Sequence, residues 1–441
     1  MPRIRRVLKL VQTTAVSSRL DTLISGGSPE IALDGRQLLV AGVTPAAITA
    51  QFGSPLYIYS ERIIRARCRE IAGFLPFKPF VPVYSCKANT NISLLKIVHE
   101  EGMHADAMSP GEILLLREAG FRSDEICYVG NNVDDAELLY ALEAGVTTSV
   151  DSLAQLERFG RLNPGGRVAV RVNPGMGDGH HKKVVTGGAD AKFGVYYTDM
   201  DRVKEIVKRC NLRLVGLNQH IGSNFLTREV YLASVHRLLS MAERFDDLDF
   251  VDFGGGFGVP YQNGIGRLDL ASLGRQMAEM LEEWTAAYGK RITVQCEPGR
   301  YIVCESGALF ITVNSVKQNP GILFVGTDGG FNVLQRPVMY GAYHEIINSR
   351  LADADEMEKV PTSVCGNICE SGDLLCEGRP LPRCSEDDVL VVLDAGAYGH
   401  SMSSNYNARL RPAEVLVTTG GDLRLVRERD TLEDILRHQL Y

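Results

Sequence analysis

The stretch Phe80-Val81-Pro82-Val83-Tyr84-Ser85-Cys86-Lys87-Ala88-Asn89 is a short apolar, β-branched run that stops on a lysine. A run of that length bounded by polar residues reads as a buried strand, here from Val81 to Tyr84. Seven more such runs follow: Met103 to Ala107, Ile126 to Val129, Thr147 to Val150, Arg167 to Arg171, Leu214 to Leu217, Leu248 to Asp252 and Ile292 to Cys296. The stretches between them carry apolar residues three and four apart, as at Ser109 to Ala119, Ala136 to Ala144, Ser152 to Phe159 and Arg228 to Phe245. That spacing puts an apolar stripe on one helix face. Eight strands alternating with helices predict a parallel (β/α)8 barrel.

Past Gly307 the helical spacing fades and β-rich runs take over, at Leu309 to Val316, Ile322 to Val325, Val389 to Leu393, Glu414 to Val417 and Leu423 to Val426. The expected fold class is therefore α/β plus all-β, a TIM-type barrel followed by a C-terminal β sandwich or barrel. Glu30 to Val40 also reads as strand material, which the β domain is expected to recruit. The expected division is 1–25 as a basic extension, 26–50 as an N-terminal strand segment of the β domain, 51–307 as the barrel and 308–441 as the β domain.

Composition narrows the function. The 441 residues are 45% hydrophobic and 23% charged, which describes an ordinary globular protein. Acidic residues outnumber basic ones, 54 to 47, and no basic stripe interleaves with aromatics, so no nucleic-acid partner is expected. No apolar run reaches the roughly 18 residues that cross a bilayer, so no membrane partner is expected either. Ten cysteines in a chain this long do not form a secreted-type framework, which points to a reducing, cytoplasmic setting. Cys365, Cys369, Cys376 and Cys384 cluster but lack paired Cys-x-x-Cys knuckles, so no metal is expected. Arg3, Arg5, Arg6, Lys9 and Arg19 precede the first acid, Asp21. Such a segment reads as a basic extension, with an organellar presequence as the alternative.

In a barrel of this kind the chemistry sits where the strands end. Strand one ends at Lys87, strand two at Asp106, strand six at His220-Ile221-Gly222-Ser223, strand seven at Gly254-Gly255-Gly256 and strand eight at Glu297-Pro298-Gly299-Arg300. A lysine there can form a Schiff base with an aldehyde. Three glycines let backbone N–H groups approach a phosphate, and Arg300 adds a cation to the same rim. Glu297 can hold a protonated ring nitrogen, and His220 can lie flat on an aromatic ring. Taken singly, each has a plainer reading: a surface lysine, a tight turn, a salt bridge, a satisfied polar residue. Taken together they describe a site for pyridoxal phosphate.

From about residue 50 to 440 the sequence resembles the barrel-type pyridoxal-phosphate-dependent amino acid decarboxylases, and within them the diaminopimelate decarboxylases. The motifs that carry the likeness are Tyr84-x-x-Lys87-Ala88-Asn89, His220-Ile221-Gly222-Ser223, Gly254-Gly255-Gly256, Glu297-Pro298-Gly299-Arg300, Arg336-Pro337-x-x-Tyr340, Cys369-Glu370-Ser371-Gly372-Asp373 and Gly396-Ala397-Tyr398. Arg171-Val172-Asn173-Pro174-Gly175, Thr186-Gly187-Gly188 and Lys192-Phe193-Gly194 add to it. The resemblance implies a carboxy-lyase that takes meso-2,6-diaminopimelate to L-lysine. It implies that Lys87 binds the cofactor covalently, Glu297 pairs with the pyridine nitrogen and His220 stacks on the ring. Asp106, Ser223, Gly254, Gly255, Gly256, Gly299, Arg300 and Tyr398 complete the implied cofactor site. Arg300, Arg336, Tyr340 and Tyr398 are the implied contacts to substrate and its carboxylates, and Glu370 reads the distal ammonium. Cys369 is implied to come from the partner subunit of a homodimer as proton donor.

Two departures stand out: Asn367 occupies a position expected to be proline, and Ser85-Cys86 replaces a small apolar pair. A decarboxylase of D-ornithine, D-lysine or a carboxylated polyamine remains an alternative, because one methylene separates such substrates by only about 1–3 kcal/mol. A regulatory protein on the same scaffold is expected to have lost Lys87 or Cys369, and a racemase to carry arginine in place of Glu297.

Overall fold

A computed structural model of the chain describes residues 31–34, 37–179, 181, 185–262, 264–350 and 358–440. The basic extension expected over residues 1–25 lies outside the described residues. Strands β1 (Ile31–Asp34) and β2 (Gln37–Val40) pair with each other as an antiparallel hairpin, and β3 (Leu56–Ser60) follows. The barrel strands come next: β4 (Phe80–Ser85), β5 (His104–Ala107), β6 (Ile126–Tyr128), β7 (Thr147–Val150) and β8 (Arg167–Asn173). After β9 (Val195–Tyr196), which adds to β8 outside the ring, β10 (Arg213–Asn218), β11 (Phe250–Asp252) and β12 (Thr293–Cys296) complete it. All neighbours are parallel, and the ring closes as β8 pairs with β10 and β12 returns to β4.

The helices start where a short polar side chain can satisfy an orphan N–H. Ser109 accepts from Glu112 N–H, Asp134 from Glu137, Ser152 from Gln155 and Asp269 from Ser272. The eighth barrel helix is a stub, Arg300–Val303. Glu61–Phe74, which precedes β4, fills the outer layer there and packs on Arg300–Val303, Ile92–Glu100 and Leu270–Tyr288. That packing is tight enough that a Cβ on Gly274 would sit 1.8 Å from the Phe74 carbonyl oxygen. Among the described residues, no helix is long and apolar enough to cross a membrane.

The second sheet is built on β13 (Gly307–Asn319), a strand long enough to serve two neighbourhoods. Its first half pairs with β3 and later with β18, and its second half pairs with β14 (Ile322–Thr327). The remaining strands are β15 (Ile346–Asn348), β16 (Lys359–Cys365), β17 (Leu374–Pro382), β18 (Val389–Val392), β19 (Ala413–Val417) and β20 (Leu423–Arg427). The sequence reading did not anticipate β15, β16 or β17. Pro361 in β16 and Pro380 and Pro382 in β17 argue against strands, since proline cannot donate to a ladder. Here Pro361 stands opposite Pro380, and β17 is a sheet edge.

The N-terminal strand that enters the β sheet is β3, antiparallel to β13 and parallel to β19, and it lies inside the 51–307 segment assigned to the barrel. The hairpin at residues 31–40 makes its ladder with itself, and reaches the β domain through Leu38 N–H, which donates to Ser349 O at 2.8 Å, and through Leu38 and Val40 packed on Phe310 and Val391.

Glu414, on β19 and 1% exposed, ties the two sheets together. Its carboxylate accepts from the Tyr59 hydroxyl at 2.6 Å and Asn91 Nδ2 at 2.8 Å, pairs with Arg427, and lies 3.8 Å from His400 Nδ1. Asn89 Oδ1 accepts from Asn91 N–H, and Asn89 Nδ2 donates to Gly396 O, so the network ends on the turn that carries Lys87. Burial pushes the Glu414 carboxyl up, but His400, Arg427, Tyr59 and Asn91 outweigh it and hold it below its usual value. Its stabilisation is therefore present above the ordinary carboxylate range and is lost as pH falls through the lowered value. Glu414→Ala strands these partners and should cost about 3–5 kcal/mol, read as a lower urea midpoint at neutral pH.

Candidate active site

A cavity of about 440 Å³ opens at the C-terminal rim of the barrel, and Lys87, His220, Ser223, Arg300, Arg336, Tyr340 and Tyr398 all line it. Met108, Asn131, Arg171, Thr186, Lys192 and Phe193 complete the wall. Residues far apart in the chain meet because β4, β10 and β12 all end at this rim. Arg336 and Tyr340, on the turn Arg336–Tyr340, and Tyr398 reach it from beyond β13.

Lys87 sits in the one-turn helix Cys86–Ala88 just past β4. The Asp106 carboxylate is clamped beneath that turn, accepting from Ser85 Oγ at 3.0 Å and Cys86 N–H at 3.1 Å. The Ser85-Cys86 departure thus has a structural use: the hydroxyl holds Asp106. Desolvation pulls the Lys87 ammonium down, but Asp106, Tyr398 and Glu297 outweigh it and hold the group above its usual value.

Glu297 is 5% exposed, and its Oε1 is buried with no hydrogen-bond partner. Burial, then Asp252, then Asp106 push its carboxyl well above the usual range. Asp252 at the end of β11 is itself pushed up by burial. Glu297 and Asp106 are the floor carboxyl groups that feel the Lys87 and Arg171 charges, and Asp252 is packed beside Glu297.

The His220 ring is fixed by Gly255, whose N–H donates to Nδ1 at 3.1 Å. Enclosure, Lys87 and Arg171 push its pKa well below the usual value. The ring is therefore neutral, with its proton on Nε2.

The glycine triplet is also required by packing. A Cβ on Gly254 would lie 2.2 Å from Gln219 O, and one on Gly255 2.0 Å from Glu297 O. Gly254 N–H donates to Asp252 Oδ1 at 2.8 Å, while Gly255 N–H serves His220. Close packing of neighbouring strand ends thus requires these glycines, and of the three N–H groups only that of Gly256 has no acceptor among the described residues. Gly299 caps the helical stub, wedged 2.8 Å (to a Cβ) from Ser85 O.

Two guanidinium groups stand in the wall with no carboxylate partner among the described residues. Arg300, 6% exposed, donates to Ser223 Oγ at 2.8 Å and Tyr261 Oη at 2.6 Å and lies over the Tyr398 ring. Arg336, 1% exposed, donates to His344 Nε2 at 2.6 Å, while Nδ1 of that ring donates to Leu393 O at 2.8 Å. The Arg336 Nε is buried without a partner. Burial and the neighbouring Arg300 charge lower its pKa. A cationic pair held this way calls for an anion.

Cys369 and Glu370 are not brought into this cavity. Both are exposed on the turn between β16 and β17, where Cys369 N–H donates to Asn407 Oδ1 at 2.7 Å and Glu370 accepts from the Tyr406 hydroxyl at 2.6 Å. Nearby, Asn367 donates to Asp328 O at 3.1 Å. All ten cysteines are free, and no cluster of His, Cys, Asp or Glu among the described residues is arranged to hold a metal ion.

Sequence reasoning missed Asp252, Arg171 and Tyr261. Asp252 and Arg171 close strand-like runs, and that position at the active rim is the signal for them, although Arg171 enters the sequence reading only as part of a family motif. Tyr261 follows no strand and carries no local signal.

The floor fits pyridoxal phosphate: Glu297 offers an orphan oxygen to a ring N–H, His220 presents a neutral ring, and Lys87 has access to the cavity. The family model for the pyridoxal-binding domain of pyridoxal-dependent decarboxylases matches residues 61–304. Fold and site thus define a barrel-type pyridoxal-dependent decarboxylase. The chain is 41% identical to the diaminopimelate decarboxylase of Methanothermobacter thermautotrophicus, over 93% of this chain and 97% of that one. It is 38% identical to that of Escherichia coli K12, over 89% and 95%. The structure of the Helicobacter pylori diaminopimelate decarboxylase in complex with L-lysine superposes with a TM-score of 0.81 at 29% identity, covering 89% of this chain and 98% of that one. The chain belongs to the diaminopimelate decarboxylase family.

Proposed function

We propose that the protein converts meso-2,6-diaminopimelate to L-lysine and carbon dioxide with pyridoxal 5′-phosphate, as a homodimer in the cytoplasm. The observation that carries this reading is the pair of buried guanidinium groups, Arg300 and Arg336, without a carboxylate partner and in the same cavity as Lys87. A substrate with a second carboxylate supplies the missing anion.

When bound, pyridoxal phosphate supplies an electron sink for the bond to the departing carboxylate. Lys87 would hold the cofactor covalently through its aldehyde. Glu297 would pair with the ring nitrogen and hold its proton, and that cation would offset the crowding of Glu297, Asp252 and Asp106 on the floor. The neutral His220 ring offers a flat face without adding charge. Ser223, Gly256, Gly299 and Tyr398 would hold the phosphate, Gly254 and Gly255 would shape the rim behind it, and Asp106 would orient Lys87. Arg300, Arg336, Tyr340 and Tyr398 hold the substrate.

Cys369 delivers a proton to Cα as general acid, and Glu370 pairs with the distal ammonium. Both are exposed and away from their own cavity, which fits delivery to a partner subunit's site across a two-fold interface. Ten unpaired cysteines fit a reducing compartment.

The test is a panel of diamino acids with carbon dioxide and product measured. meso-Diaminopimelate should outrun D-lysine and D-ornithine by about a hundredfold or more, because a substrate lacking the second carboxylate leaves buried donors unpaired. Equal rates across the panel would remove the substrate assignment.

A further inference from the structure

We propose that Tyr261 is a positioning residue for carboxylate recognition: its phenol separates and aims Arg300 and Arg336, and thereby sets the preference for ligands that carry the distal carboxylate. This rests on the proposed function and deepens it.

Tyr261 is 8% exposed and stands behind the cavity wall. A guanidinium only donates, so the phenol oxygen accepts from Arg300 at 2.6 Å. The oxygen also touches Cys304 Sγ at 3.1 Å, and that thiol reaches Asp394 O at 3.2 Å, which anchors the hydroxyl to the β-domain side. The ring face carries Arg336, whose guanidinium carbon lies 4.5 Å from its centroid. The His344 ring, which accepts from Arg336, packs edge-on against the same phenol with centroids 5.4 Å apart.

Two buried like charges repel, and no carboxylate among the described residues holds them apart. One side chain touches both, by a hydrogen bond on its edge and a cation–π contact on its face. Tyr261→Phe removes the first and keeps the second, leaving an Arg300 donor without its partner and free to re-aim.

The experiment is calorimetric titration of holoenzyme, wild type and Tyr261→Phe, with L-lysine and with cadaverine, which lacks the carboxylate. Lysine should bind the variant about tenfold more weakly, the usual scale for a lost hydrogen bond to a charged group. Cadaverine should change by less than about twofold. A merely structural role moves both ligands together, so equal weakening overturns the proposal. So does unchanged lysine affinity, or a wild type that binds lysine no better than cadaverine. Turnover of meso-diaminopimelate by the wild type is measured alongside: its absence defeats the proposed function, while the lysine and cadaverine contrast still decides the role of Tyr261.

Discussion

Lys87→Ala should leave a folded protein that decarboxylates at least about a thousandfold more slowly than wild type, since the group that binds the aldehyde is gone. The side chain lines the cavity and is not packed in the core, so the thermal midpoint should stay within a few degrees, roughly the range expected outside packed sites. The wild type should be yellow, and borohydride should fix the cofactor on the peptide containing Lys87. A variant that keeps both the colour and the borohydride-stable adduct would move the covalent role to another lysine. Lys192, also in the wall, is the residue to examine then.

The second large effect concerns Cys369. Cys369→Ala should be nearly inactive, in keeping with the roughly 10²–10⁴-fold contribution of a positioned general acid. Mixing it with Lys87→Ala and allowing subunit exchange makes about half of the dimers mixed, each with one intact and one doubly defective site. About a quarter of wild-type activity should therefore return. With exchange confirmed by mass spectrometry, activity that stays at the level of the separate variants would mean that Cys369 serves its own chain or that the dimer does not form. Substantial activity in Cys369→Ala alone would make water the proton donor.

Much of the barrel was legible because its signals are local. Thr147 to Val150 was marked as a strand and is one to the residue, and Ser109, Ser152 and Asp134 start helices for a reason contained within four residues of chain. The active rim was legible for a related reason: in a parallel barrel every strand ends on the same face, so Lys87, His220 and Glu297 must converge once the strands are identified. Chemistry then restricts what a lysine, a histidine and a glutamate can do side by side, and the family resemblance names the cofactor.

Other features exist only through distant partners. Leu56–Ser60 becomes a strand of the second sheet because β13 and β19 lie on either side of it, and nothing in its own five residues says so. The glycine triplet reads in sequence as a phosphate nest, yet what forbids Cβ atoms at Gly254 and Gly255 is the carbonyl oxygens of Gln219 and Glu297 on neighbouring strands. The Ser85 hydroxyl acquires a purpose only when Asp106 is beneath it. Arg300 and Arg336 stand in recognisable motifs, but Tyr261 and His344, which hold them, are plain polar residues along the chain. Local propensity and residue chemistry determined which elements form and which side chains stand at their ends; only tertiary packing, which sets burial and pairs groups hundreds of residues apart, decided which carboxyl groups are pushed above their usual range, which glycines are obligatory and which cations await an anion.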